Sequence, residues 1–368
     1  MKIALLSYST KPRGGVVHTL ALAEALAEAG QDVTVWTLGR GGDAGFFRPV
    51  DAAVRLRIVP FPDGPPEETV GERILRSIAL LGKAFEPFVV AYDVVHAQDC
   101  ISANAVGGRC VRTVHHIDHF TTPELAACHE RAIIEPYAHI CVSAAVATEL
   151  ADGWGIKAAV IPNGVAYGRF AITDPAALAN WRARLGRYIL TVGGIEPRKG
   201  SLDLLEAYAL LCRDHPDVRL VIAGGETLFD YRDYRARWEA RAAELRVEPV
   251  VLGQVAEDDL PSLVAAASAF AFPSVKEGFG LAAMEALAAG VPLVVRDLPV
   301  LREVFDSAAG FATTHQDLAA ELGAALTDYT PARRARGRQL AARHTWATAA
   351  ERHLAFYDSR LRGPEDPG

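Results

Sequence analysis

Residues Pro273–Pro292 read PSVKEGFGLAAMEALAAGVP. They follow the apolar run Ala265–Phe272, whose end reads as a buried strand, and Gly290 with Pro292 supplies a C-cap and a stop after Leu281–Ala289. The order strand, glycine loop, helix is therefore expected. Gly278 and Gly280 remove side chains where the backbone must bend, leaving N–H groups at a helix start free to hold an anion, favoured by the positive end of the dipole. Two carboxylates flank this anion site, Glu277 on the loop and Glu285 inside the helix. Helical side chains lean toward the N-terminus, so Glu285 is expected to point back toward the loop. A carboxylate beside a phosphate is repulsive unless it accepts hydrogen bonds, and sugar hydroxyls are the obvious donors. That combination suggests a sugar nucleotide, although on the residues alone the two glutamates serve equally well to complement the dipole.

The rest of the chain is long enough to support such a loop twice over. Its 368 residues suit two domains of about 150–180 residues each. Half of the residues are hydrophobic and 23% are charged, so both halves can bury a core, and the net charge of −7 argues against nucleic acid as a partner. Cys100, Cys110, Cys128, Cys141 and Cys212 form an odd set without CxxC spacing, which points to reduced thiols in a cytoplasm. MKIALLSYS is too short an apolar run for a signal peptide and reads as a first strand, and no segment offers the roughly 18 apolar residues of a membrane span.

From that strand onward, apolar runs alternate with helical patterns. Ile3–Ser7, Asp32–Leu38, Val54–Val59, Val94–His96, Arg112–His115 and His139–Val142 read as strands of a first doubly wound parallel sheet, with a helix at Val17–Ala29. A second series runs through Tyr188–Val192, Val218–Ala223, Pro249–Leu252, Ala269–Phe272 and Pro292–Val295. The expected division is 1–165 for an N-terminal domain, 166–344 for a C-terminal domain and 345–362 for a final helix. Ligands of such sheets bind at the carboxyl ends of the strands, so two facing sheets are expected to enclose a cleft. Gly39-x-Gly41 lacks the third glycine and helix of a dinucleotide fingerprint. Gly363–Gly368 reads as a frayed tail.

Glu277 and Glu285, with Gly278-Phe279-Gly280-Leu281 between them, resemble the Glu-x7-Glu signature of retaining glycosyltransferases of the GT-B fold, family 4. The resemblance implies two Rossmann-like α/β domains, the N-terminal one (1–165) binding the acceptor, the C-terminal one (166–344) the nucleotide-diphosphate sugar donor, and the helix 345–362 crossing back to the first, with no cofactor and no metal. Within it, Glu277 would hold sugar hydroxyls, Glu285 the ribose, and the Gly278–Leu281 backbone the diphosphate. Gly193-Gly194-Ile195-Glu196-Pro197-Arg198-Lys199-Gly200 follows a strand, and the family's matching cations, here Arg198 and Lys199, neutralise the leaving diphosphate. Many members carry arginine where this chain has Gly194. By itself an Arg-Lys pair is more often a solvated one.

The loop Ser9–His18, STKPRGGVVH, carries the Gly14–Gly15 pair that faces the donor in the family, with Lys11, Arg13 and His18 as candidate acceptor contacts. Thr113-Val114-His115 resembles the family's Thr-x-His segment, whose histidine lies close to the transferred sugar. His116 is a candidate acceptor contact, and either imidazole could instead be buried and structural. His115, His116, His119 and Asp118 lack a downstream His/Cys motif, so zinc is not expected. Ser143 and Ile161-Pro162-Asn163-Gly164-Val165 match further landmarks, and Val251-Leu252-Gly253 matches the segment that frames the base. Gly224-Gly225-Glu226 reads as another strand-to-glycine turn. Arg73–Phe85 is a basic amphipathic stretch and a candidate for peripheral contact with an anionic membrane.

The expected activity is retaining, metal-independent transfer of a hexosyl unit from a UDP-, GDP- or ADP-sugar to a small-molecule, glycan or lipid-linked acceptor, in the cytoplasm, with the inner face of the membrane as the alternative place. A sugar-nucleotide epimerase and a sugar-nucleotide-binding protein without turnover are the competing readings.

Overall fold

The computed structural model describes residues 1–118, 120, 122–225, 231–328 and 330–362. His119, Glu226 and Gly363–Gly368, singled out from sequence, lie outside the described residues. The chain divides into two units, Met1–Gly164 with Trp346–Gly368, and Val165–Thr345.

In the first unit β1 (Lys2–Leu6), β2 (Asp32–Arg40), β3 (Arg55–Phe61), β4 (Val94–Ala97), β5 (Val111–Val114), β6 (Ala138–Cys141) and β7 (Ala159–Val160) form a sheet of order β3-β2-β1-β4-β5-β6-β7. Its described ladders are parallel. Both faces of the central strands are covered, which is why Ile3–Leu6 of β1 reads as an unbroken apolar run instead of an alternating one. Ile3, Leu5, Val33, Val35 and Val94 pack with Leu22, Leu26 and Tyr357 of helices Gly14–Glu28 and Trp346–Leu361. Ala4, Leu6, Trp36, Leu38 and Val95 pack on the other side with Leu81 and Phe85 of helix Val70–Phe85. That helix starts with a capping box in which Thr69 and Glu72 satisfy each other's backbone N–H groups.

In the second unit β8 (Arg187–Val192), β9 (Val218–Ala223), β10 (Val250–Gly253), β11 (Ala269–Phe272), β12 (Leu293–Arg296) and β13 (Ala309–Ala312) take the order β10-β9-β8-β11-β12-β13. The chain reverses its direction of travel across the sheet between β8 and β11, so the loops after these neighbours open side by side at a topological switch point. Ile189, Leu220, Ile222, Ala271 and Val294 build the core there with Leu204, Leu205, Trp238 and Leu322.

Three local expectations are corrected. The first helix starts at Gly14, not Val17, because Arg13 is the extended N-cap whose carbonyl accepts from Val17 N at 2.8 Å. Gly14 and Gly15 thus form its first turn, where glycine forfeits no intrahelical bond that another residue would make. β2 continues past Leu38 to Arg40, so Gly39 lies inside a strand paired with Pro60. The edge strands β7 and β13 were not expected at all. No helix among the described residues is long and apolar enough to cross a membrane.

Candidate active site

In the second unit two loops are locked together at the ends of β8 and β11. Gly200, at φ 64°, has no room for a Cβ, which would run into the Pro273 carbonyl oxygen, and the same oxygen accepts from Arg296 Nε at 3.0 Å. Val275 N donates to the Arg198 carbonyl at 2.8 Å. This close approach sets Arg198 and Lys199 against Glu277. Glu277 Oε1 accepts from Lys199 Nζ at 2.6 Å and from Arg198 Nη1 at 3.0 Å, and its side chain is only 11% exposed. Arg198 Nη2 also reaches Glu196 Oε1 at 3.2 Å. The Lys199 ammonium sits 5.0 Å from the centroid of the Phe272 ring, and its stem lies over Gly193. Two cations, 78 and 79 positions away in sequence, therefore meet on one carboxylate oxygen, in an arrangement whose charge-assisted bonds fix all three side chains.

The Gly278–Gly280 loop that follows is buried, and Gly280 takes φ 95° with Phe305 and Phe272 packed where a Cβ would stand. Phe279, expected at the donor, turns its ring into the core against His344, with centroids 5.7 Å apart, so only its backbone can serve a ligand. Helix Leu281–Ala289 begins without a side-chain cap, which leaves its first-turn N–H groups to be met by something else. The Leu281 backbone belongs to that turn. Ser274, 1% exposed, has a buried hydroxyl with no partner among the described residues.

Glu285, one turn further on, has an environment that sequence did not indicate. Burial and the neighbouring Glu257 push its carboxyl up to about 8, with Arg169 pulling the other way. Arg169 is itself bound to the Glu257 side chain and carbonyl. Gly253, at the end of β10, takes φ 70° beside open space.

In the first unit His115 follows β5 directly. Its imidazole is held down to about 3, chiefly by burial and then by His116, and so is neutral at ordinary pH. Its Nε2 is buried without a hydrogen-bond partner. Gly15 lies over it, with room for a Cβ at 3.8 Å from His115 Cδ2. His116 stands apart with Asp118, Nε2 to Oδ2 3.2 Å. Lys11 is exposed and paired to Asp43 at 3.0 Å, while Arg13 Nε is buried without a partner.

His18 departs from the reading as an acceptor contact. It is 1% exposed because Asn163 and the helix Trp346–Leu361, both remote in sequence, close over it. Its Nδ1 meets Asn163 Oδ1 at 2.9 Å, and its ring stands edge-on to His115 at 4.7 Å and to Trp346 at 5.3 Å. His96 is fully buried between Tyr357 Oη and Thr113 Oγ1, both at 2.7 Å. Ser143 caps the helix Ala144–Trp154, accepting from Val146 N. Asn163 stands in the Ile161–Val165 landmark and Tyr357 on an apolar helix face, but nothing local shows that they contact His18 and His96. Only the tertiary fold reveals them.

Two family models match the chain: "Glycosyl transferases group 1" over residues 183–342 and "Glycosyltransferase Family 4" over residues 12–169. Among curated proteins it is 28% identical to a phosphatidyl-myo-inositol mannosyltransferase of Mycolicibacterium smegmatis, over 98% of this chain and 94% of that one. It is 29% identical to a glycogen synthase of Mycobacterium tuberculosis, over 100% and 97%. Among solved structures it resembles a sucrose-phosphate synthase from Thermosynechococcus elongatus, with TM-score 0.79, 20% identity and coverage of 98% and 99%. It also resembles a glycosyltransferase involved in lipopolysaccharide biosynthesis, with TM-score 0.75, 19% identity and coverage of 96% and 99%.

Proposed function

The chain belongs to the group 1, family 4 glycosyltransferases of GT-B fold, and on that premise we propose that it moves a hexosyl unit from a nucleoside-diphosphate sugar to an acceptor hydroxyl, with retention of configuration and without a metal ion. The observation that carries this reading is the convergence of Arg198 and Lys199 on Glu277 beside an uncapped helix start. A mannosyltransferase and a glycogen synthase among the relatives support a hexosyl unit.

Breaking a sugar–phosphate bond loads negative charge on the diphosphate and positive charge on the anomeric carbon. Arg198, Lys199 and the N–H groups at the start of helix Leu281–Ala289 would stabilise the first, doing for the phosphates what a metal ion does elsewhere. Glu277 holds both cations in place before substrate arrives, so little reorganisation is needed during reaction, and its carboxylate would also accept sugar hydroxyls. Glu285 would accept the ribose hydroxyls. Neutral His115 can accept or donate one hydrogen bond to a sugar hydroxyl without introducing a positive charge. The acceptor attacks from the face that the diphosphate leaves, and the leaving phosphate oxygen takes the acceptor's proton.

Incubation with UDP-, GDP- and ADP-sugars in EDTA, with an acceptor panel, tests the proposal. One nucleotide is released, and the product keeps the anomeric configuration of the donor by NMR. An inverted product, or release restored only by a divalent ion, contradicts it.

A further inference from the structure

The loop between β8 and helix Ser201–Leu211 carries a carboxylate that the transfer step does not use. Glu196 is the extended residue, φ −146° and ψ 155°, that opens the tight turn Pro197–Lys199. Its backbone is tied to the start of the following helix. Glu196 N donates to Ser201 Oγ, and Ser201 Oγ donates to the Glu196 carbonyl, each at 3.3 Å. Lys199 N donates to the same carbonyl at 3.2 Å. These bonds fix Glu196 two positions before Arg198, with its side chain only 13% exposed. Its Oε1 accepts from Arg198 Nη2 at 3.2 Å, and its carboxylate has no other hydrogen bond or ion pair among the described residues.

The two cations beside Glu277 are therefore in different states. Lys199 Nζ makes one hydrogen bond among the described residues, to Glu277, and an ammonium group has three to give. Arg198 has both terminal nitrogens engaged, Nη1 by Glu277 Oε1 at 3.0 Å and the Lys276 carbonyl at 3.3 Å, and Nη2 by Glu196. The formal charges of Arg198, Lys199, Glu196 and Glu277 cancel, two against two, so these four groups together offer a diphosphate no net positive charge. For Arg198 to turn its fork to a phosphate, a carboxylate must release it. Glu277 keeps Lys199 when Arg198 leaves. Glu196 instead loses its ion pair and stands as a mostly buried carboxylate beside the incoming anion, which favours the return of Arg198 and the departure of the anion. We propose that Glu196 competes with the diphosphate for Arg198, and thereby sets how tightly the nucleoside diphosphate product is held and how fast it leaves. Glu196 acts through Arg198 and is a positioning residue. The proposal rests on Arg198 and Lys199 binding the diphosphate in the transfer reaction.

Glu196→Gln tests this, because glutamine keeps an oxygen that accepts from Arg198 and removes only the charge. Calorimetry with UDP, GDP, ADP and inorganic pyrophosphate should show at least one of the four bound about tenfold tighter by Glu196→Gln than by wild type, the worth of one charge-assisted bond no longer contested. Stopped-flow dissociation of that ligand should slow in step. Glu239→Gln, on the exposed face of helix Arg232–Leu245, leaves both unchanged. A residue that only held the loop together would weaken binding when changed, so the sign of the effect separates the two roles. Binding that is unchanged or weaker in Glu196→Gln, or no binding of any of the four by either protein, overturns the proposal. Tighter diphosphate binding in Glu196→Gln with no transfer from any sugar nucleotide would sustain this inference and sink the transferase reading instead.

Discussion

Glu285→Gln offers a direct probe of the ribose contact. The free carboxyl, pushed up to about 8 by burial and Glu257, is roughly nine-tenths protonated at pH 7, since one pH unit below a group's pKa gives a tenfold excess of the acid form. Ribose hydroxyls donating to Glu285 favour the charged form and lower its pKa, so the proton leaves as nucleotide binds. Calorimetry at pH 7 in buffers of different ionisation enthalpy should therefore report release of about 0.9 proton per nucleotide bound, falling to about 0.1 at pH 9, where the carboxyl is already ionised. Glu285→Gln should abolish the release at both pH values. The same shift has a sign for stability: a carboxyl raised from 4.5 to about 8 favours the fold below 4.5, and that contribution is lost as pH rises through 8. Release that is equal at pH 7 and pH 9, or that survives in Glu285→Gln, would refute the placement of Glu285 at the ribose.

Three further outcomes follow from other parts of the molecule. Gly200→Ala should lower the unfolding midpoint of the second unit and reduce activity, because φ 64° and the Pro273 carbonyl together force the β8 and β11 loops apart, a change of about 2 kcal/mol or more. Tyr357→Phe removes the partner of His96 Nδ1 and should destabilise the first unit by about 1–3 kcal/mol in urea unfolding, while His115 keeps its environment. His115→Ala should lower kcat by about 10²-fold with little change in nucleotide affinity, whereas equal losses in both would mark His115 as structural.

β1 and β9 announce themselves because buried parallel strands are near-continuous apolar runs with helices between them. β7 has two residues and β13 is Ala-Gly-Phe-Ala, too short and too small-sided to stand out from a turn. The glycine loop, Glu277, Arg198 and Lys199 were readable as motifs, but their meeting on one oxygen depends on β8 and β11 being neighbours, a fact of topology that no local pattern carries. His18 shows the opposite failure. A histidine behind a Gly-Gly turn looks like a ligand contact until Asn163 and Trp346, 145 residues and more away, cover it. Glu257 and Arg169, 88 positions apart, are hidden from sequence for the same reason; Glu257 adds to the burial that raises the Glu285 pKa, and Arg169 opposes it.

The most direct test of the central claim is nucleotide affinity and sugar transfer measured together for wild type, Glu277→Ala and Lys199→Ala, in EDTA. Lys199→Ala should lose transfer by about 10²-fold or more, as expected for removal of one donor to a developing anion. Glu277→Ala, which frees two cations from their carboxylate, should lose transfer comparably while binding the nucleoside diphosphate as well as wild type or better. Transfer that survives either substitution would contradict the account.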